Sequence, residues 1–291
     1  MILIAVDIVI GIGLDKMRDK ASGNTESSRH RYLAMEAEAP VVVFGSSRAF
    51  HHYFSPAMEE ELGEKVVNAG EDGNGVILAY GRLALMTERF TPKIALIDIE
   101  PGFDIGSDDN LRYLKPLRPF YDASPRVREM FAELSANEPL KMLSHSYRYN
   151  SLLPNLLKSS VNRDSLTDYE LLDKQVEDFD LKAVNDPPII REYDPVKRRY
   201  LVKFIEECRR LGVMPVIAFS PHYGRTDSDE LRPVKELARQ YNVIVLDYYA
   251  DPNFVNDKTL FVDPYHLNSK GAEAYSRTIA WELKPLLQQS K

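Results

Sequence analysis

The chain has 291 residues and 44% hydrophobic content, enough to fill the core of one large domain, and its net charge is −7. That sign is wrong for a surface that collects nucleic-acid phosphates or anionic head groups, so nucleic acid is excluded as a partner. A single cysteine, Cys208, excludes an internal disulfide and a cysteine zinc cluster.

Residues 1–14 are apolar apart from Asp7 and precede a charged run at 15–20. The stretch is too short to span a bilayer, and no basic leader or small-residue cleavage site marks it as a secretion signal. Two readings stand: a strand or helix packed on the domain, or a truncated membrane anchor. Residues 21–38 form a polar approach segment, which leaves 39–291 for the α/β domain.

Residues 39–44 (Ala-Pro-Val-Val-Val-Phe) form a continuous apolar run that ends in Gly-Ser-Ser, the pattern of a buried parallel strand breaking into a loop. Runs at 65–68, 93–98, 214–219 and 243–247 look alike. Helical patterns lie between them. The clearest opens at Asp194-Pro195, an N-cap and first-turn pair, and ends at Gly212; its apolar stripe contains Cys208, which reads as a small core residue. Two more run over 231–241 and 272–283. Strands alternating with helices predict a three-layer, doubly wound sheet of five parallel strands. Residues 101–192 break the alternation and read as a largely helical insertion between the third and fourth strands.

In such a sheet, ligands bind beyond the carboxyl ends of the strands. The first strand delivers Gly45-Ser46-Ser47-Arg48 to that edge, where backbone N–H groups can stabilise an anion beside a serine; an ordinary turn or N-cap has the same composition. Before the last helix stands Asp263-Pro264-Tyr265-His266. A serine nucleophile needs a base, and the base needs a carboxylate to fix its tautomer, so an Asp and a His three residues apart can supply both from one turn. After the second strand comes Asn68-Ala69-Gly70-Glu71-Asp72-Gly73-Asn74-Gly75, whose glycines permit close backbone approach to a substrate. The spacing is not that of a dinucleotide fingerprint.

These three blocks, in this order and at these strand ends, resemble the SGNH (GDSL-like) hydrolases. The resemblance covers residues 39–100 and 194–287 and implies a flavodoxin-like sheet of the SGNH type. It implies a catalytic triad of Ser47, Asp263 and His266, and an oxyanion hole of the Ser47 N–H with Gly73. Arg48, Asn68 and His222, which border the implied cleft, become candidates for substrate binding. It departs at two places. Ser46 stands where the family has Asp, and Asp98-Ile99-Glu100-Pro101 stands where the family has G-x-N-D, so either Asn74, Arg48 or an insertion residue replaces the side-chain donor or the oxyanion hole is weaker. The implied activity is a serine esterase on O-acyl (O-acetyl) esters of a small molecule or envelope carbohydrate. An acyltransferase with the same triad, or a non-catalytic domain that binds glycan or protein, are the alternatives. No cofactor is implied, and the apolar start points to membrane contact and the cell envelope.

The adjacent His51 and His52 diverge in direction and lack a third ligand at metal spacing, so packing or surface roles are expected. Tyr147, Tyr149 and Asn150 either line a carbohydrate or acyl site or build the insertion's own core.

Overall fold

The central strands are built mainly of Val, Ile, Leu, Ala and Phe, residues that a parallel sheet buries on both faces, and the chain wraps helices around that sheet. The computed structural model describes residues 2–173 and 192–289; residues 174–191 of the expected insertion lie outside the described residues. In chain order the principal helices and strands are α1 (Ile2–Asp19), α2 (Glu26–Met35), β1 (Val41–Gly45), α3 (Ser47–His52), α4 (Ser55–Leu62), β2 (Val66–Asn68), α5 (Val76–Met86), β3 (Ile94–Asp98), α6 (Pro101–Asp104), α7 (Pro125–Leu134), α8 (Glu138–Lys141), α9 (Leu153–Ser159), α10 (Pro195–Arg210), β4 (Met214–Phe219), α11 (Arg232–Gln240), β5 (Ile244–Asp247), α12 (Pro252–Val255) and α13 (Ser269–Gln289).

The sheet order is β2-β1-β3-β4-β5 and every pairing is parallel. This is the doubly wound α/β architecture that the alternating runs predict. The register sets Gly45 beside Asp98, and Asp98 beside Ala218, so the carboxyl ends of the three central strands finish at one edge. The direction in which strands are added reverses between β1 and β3, which puts the loop after β1 at the topological switch point, the place where open α/β sheets bind ligands.

One face of the sheet buries Val41, Val43, Leu96 and Val216 against Tyr53, Tyr275 and Ile279. On the other, Phe44 meets Phe204 of α10 edge to face at 5.4 Å, beside Tyr200, Ile205 and the free, buried Cys208. The ends of α10 follow local chemistry. The Asp194 carboxylate accepts from the Val196 and Lys197 amides and Pro195 opens the first turn, while Gly212, at φ 73°, takes the left-handed turn that stops the helix.

The chain divides into two compact units, one of Met1–Glu38, Gly81–Phe90 and Asp109–Thr167, the other of Ala39–Tyr80, Thr91–Asp108 and Asp168–Lys291. The second holds the sheet. In the first, the apolar start of the chain is a helix. Asp7 accepts from the Ser144 hydroxyl at 2.8 Å and the His145 amide at 2.8 Å, and Gly11 is buried against His145, where a Cβ would lie 2.2 Å from the His145 Cβ. The aliphatics of the first three turns of α1 are exposed, Leu3 to 84% and Val9 to 68%, whereas Leu14 and Met17 pack against Ala21, Tyr149 and Leu156. Among the described residues no helix is long and apolar enough to cross a membrane. Tyr149 packs with Ala21 and Leu156 in a small core, and Tyr147, Tyr149 and Asn150 border an open recess of about 660 Å³ with Ile10 and Leu14.

Candidate active site

β1 stops at Gly45, where φ is 143° and a Cβ would lie 2.5 Å from the Asp98 carbonyl oxygen; only glycine turns here without displacing β3. Ser46 then caps α3, its hydroxyl accepting the Arg48 amide at 3.3 Å. Ser47 thereby becomes the first residue of the helix. Its Oγ lies 3.0 Å from His266 Nε2.

His266 is held by its own turn. Asp263 Oδ1 accepts the Tyr265 amide at 2.7 Å and the His266 amide at 2.9 Å, and His266 returns its carbonyl to the Val262 amide at 3.0 Å. His266 Nδ1 is 2.9 Å from Asp263 Oδ2. A carboxylate only accepts, so Nδ1 carries the proton, Nε2 keeps its lone pair, and the Ser47 hydroxyl donates to it. Burial opposes ionisation of Asp263, but hydrogen bonds and charge from His266, with the Tyr265 and His266 amides, hold its carboxyl below the usual range. The side chains of His266 and Asp263 are 24% and 34% exposed. The chain Ser47–His266–Asp263 is thus shielded yet reachable, and it can pass the serine proton to the imidazole as a nucleophile attacks.

The glycine loop after β2 is tied to the same edge. The Glu71 amide donates to the Gly45 carbonyl at 3.0 Å. Gly70 lies so close to α3 that a Cβ would be 2.5 Å from the Phe50 nitrogen. Gly73 turns at φ 65°. The Asn74 amide side chain donates to the Asp72 carbonyl at 2.9 Å.

The three candidate substrate contacts all sit inside the domain. Asn68 Nδ2 donates to the Ala49 and Tyr53 carbonyls at 2.7 and 2.9 Å, and its Oδ1 accepts the Gly70 amide, so this side chain shapes the loop. Arg48 is 1% exposed; its guanidinium donates to the Ser220 and Pro221 carbonyls and lies over the Tyr249 ring, while Nη1 has no partner among the described residues. His222 is buried between Tyr249 and Tyr265, and its Nε2 has no partner among the described residues. Burial, with the charges of Arg48 and Arg225, pushes its pKa down to about 3.

Several residues matter that no motif signals. Ser220 follows β4 and receives Arg48 Nε and His52 Nδ1, while its amide and hydroxyl donate to Asp98. His51 bridges Asp72 at 3.0 Å and the Glu170 carbonyl at 2.8 Å. Residues 168–173 run across the same edge, where Asp168 accepts the Asn68 amide and Leu172 the Ser269 amide. At the departing third block, Asp104 accepts the Val76 and Glu100 amides. Burial pushes Asp104 up to about 7 and Asp98 up to about 6, in each case against the hydrogen bonds it accepts. Among the described residues of the sheet unit, no three His, Cys, Asp or Glu side chains converge as metal ligands.

No protein-family model matches the chain and no curated protein matches it. Among solved structures it is similar to a Bacteroides fragilis protein described as a candidate acylhydrolase, at 10% identity over 94% of each chain with a TM-score of 0.40. It is also similar to a Streptococcus pneumonia protein described as a candidate platelet activating factor, at 16% identity over 97% of this chain and 98% of that one, with a TM-score of 0.34.

These buried groups give stability a definite pH dependence. His52, driven well below the usual imidazole range by burial and by the nearby Arg48, and His222 refuse a proton that the unfolded chain accepts below about pH 6.5, so each erodes stability as pH falls. Asp98 and Asp104 do the reverse: the fold binds protons that free carboxylates lack above about pH 4, so each adds stability as pH falls. Denaturant-derived stability is therefore expected to be nearly flat between about pH 4.5 and 6, and to drop steeply below about pH 4, where the histidine effect is joined by protonation of Asp263 and Asp7, whose carboxyls the fold holds below the usual range. A continuous decline from pH 6.5 downward would show that the two carboxyls titrate normally.

Proposed function

We propose that the protein is a serine esterase acting on O-acyl esters, O-acetyl esters in particular, of a small molecule or an envelope carbohydrate, through an acyl-enzyme at Ser47. The observation that carries this reading is the unbroken chain from Ser47 Oγ to His266 Nε2 at 3.0 Å and from His266 Nδ1 to Asp263 at 2.9 Å. In it, Ser47 Oγ attacks the acyl carbon while its proton moves to His266 Nε2. The negative charge on the carbonyl oxygen falls to the backbone N–H groups of Ser47 and Gly73, and His266 returns the proton to the departing alkoxide as the ester C–O bond breaks. Water then attacks the acyl carbon while His266 takes its proton, and His266 hands that proton to Ser47 Oγ as the acyl C–Oγ bond breaks, which frees the serine and the carboxylic acid.

A hydroxyl acceptor in place of water makes the same machine an acyltransferase. The absence of an Asn side chain after β3 favours the backbone for the oxyanion, since the Asn74 amide is occupied within its own turn. Hydrolysis of p-nitrophenyl acetate is expected from the wild type and is expected to fall by at least about 1,000-fold in both Ser47→Ala and His266→Ala. Acyl transfer to added glycerol or glucosamine, measured as the acylated acceptor, separates transferase from hydrolase. A folded wild type without turnover would turn the reading towards the glycan- or protein-binding alternative.

The reading includes membrane contact at the envelope through α1, supported by aliphatic side chains exposed around most of its first three turns. The chain is expected to float with phospholipid vesicles in a density gradient, and Leu3→Asp with Val9→Asp to abolish that. Wild-type protein left at the bottom of the gradient would remove the membrane contact.

A further inference from the structure

We propose that His52 is the positioning residue of His266: its Nε2 accepts the Leu267 amide and so lets α3, the helix that carries Ser47, hold the loop that carries the base. The inference rests on the esterase reading for its kinetic consequence only; its geometry stands independently. The Leu267 amide donates to His52 Nε2 at 3.0 Å, so that nitrogen keeps a lone pair and the ring proton resides on Nδ1. Nδ1–H then donates to Ser220 Oγ at 2.9 Å.

Ser220 completes the pattern. Its oxygen accepts from His52 and from Arg48 Nε at 3.1 Å, which leaves its proton for Asp98 Oδ1 at 3.2 Å. The other Asp98 oxygen accepts the Tyr53 hydroxyl at 2.6 Å and the Ser220 amide at 3.1 Å. Every donor therefore has one direction available, running from Leu267 through His52 and Ser220 to Asp98. His52, Tyr53, Asp98 and Ser220 are fully buried, so water cannot substitute for a missing partner.

The ring stays neutral because a charge on it is opposed by burial and then by Arg48, His266, His51 and His222, which surround it; Asp98 lies beyond Ser220. His52 also meets the His266 ring edge to face at 6.1 Å. With the His266 amide on Asp263, the His266 carbonyl on Val262 and the Leu267 amide on His52, the base is held at its own amide and at both polar groups of the peptide that follows it. Loss of the last of these frees the base to drift from the 3.0 Å contact with Ser47.

The test uses three substitutions that separate hydrogen bonding from packing. In His52→Gln the Oε1 reaches about where Nε2 lies and can accept from Leu267; His52→Asn matches Nδ1 and loses that acceptor; His52→Leu loses both. Turnover of p-nitrophenyl acetate and the downfield proton resonance of His266 Nδ1–H are measured on variants whose folding is checked by circular dichroism. Asn and Leu are expected to lower kcat by about ten- to a hundredfold with KM unchanged and to lose or shift that resonance. Gln is expected to stay within about threefold of wild type and to keep it. A folded Asn variant with wild-type kcat and an intact resonance overturns the proposal, as does a Gln variant as impaired as Leu. Should the wild type show no turnover, the resonance series still decides the positioning claim, and the failure belongs to the esterase reading.

Discussion

Parallel pairing of β1 with β3, which sets Gly45 opposite Asp98, is the constraint on which the site depends. It ends two central strands at the same level and leaves no room for a side chain at Gly45, where a Cβ would strike the Asp98 carbonyl. The chain must therefore turn at once into α3. That turn puts Ser47 in the first helical position and His52 and Tyr53 one and a half turns further on, facing the buried end of β3. A hydrogen-bonding edge common to β1, β3 and β4 then brings Ser220 to the same place, and the loop before α13 closes over it through Leu267.

The interior behind the triad is unusually polar for a sheet edge. Arg48, His52, Asp98 and Ser220 are all buried, and a group of this kind is stable only when nearly every member is satisfied. The charges of Arg48 and Asp98 offset each other, the two lone pairs of Ser220 are both engaged, and the imidazole avoids a charge altogether. A network with one permitted direction of donation specifies geometry in a way that apolar packing does not, because a shifted register would strand buried donors. The candidate site thus gains rigidity from a buried polar network.

Much of this was legible in the residues. Continuous Val and Ile runs identify buried strands because a parallel sheet covers both faces, and the Asp194-Pro195 and Gly212 signals work because helix ends are governed by local geometry. The pair Asp263 and His266 can be read because one turn holds both. The partners of His52 could not be: Ser220 is 168 residues away and Leu267 is 215, and Ser-Pro-His after a strand has no distinguishing chemistry until topology brings it to α3. Asn68, Arg48 and His222 border the edge in sequence, yet the side chains turn inward to backbone carbonyls and aromatic rings, a choice that only packing decides. The apolar N-terminal stretch likewise becomes a helix whose Asp7 caps a loop at 144–146, a contact of high sequence separation.

The central claim is that Ser47 is a nucleophile activated by His266. It is tested most directly by exposing the folded protein to a fluorophosphonate and locating the adduct by mass spectrometry in wild type and in His266→Ala. The account predicts a single adduct on Ser47 in the wild type and labelling slowed by orders of magnitude in the variant. Wild-type protein that stays unlabelled at Ser47, or that labels equally fast without His266, contradicts it.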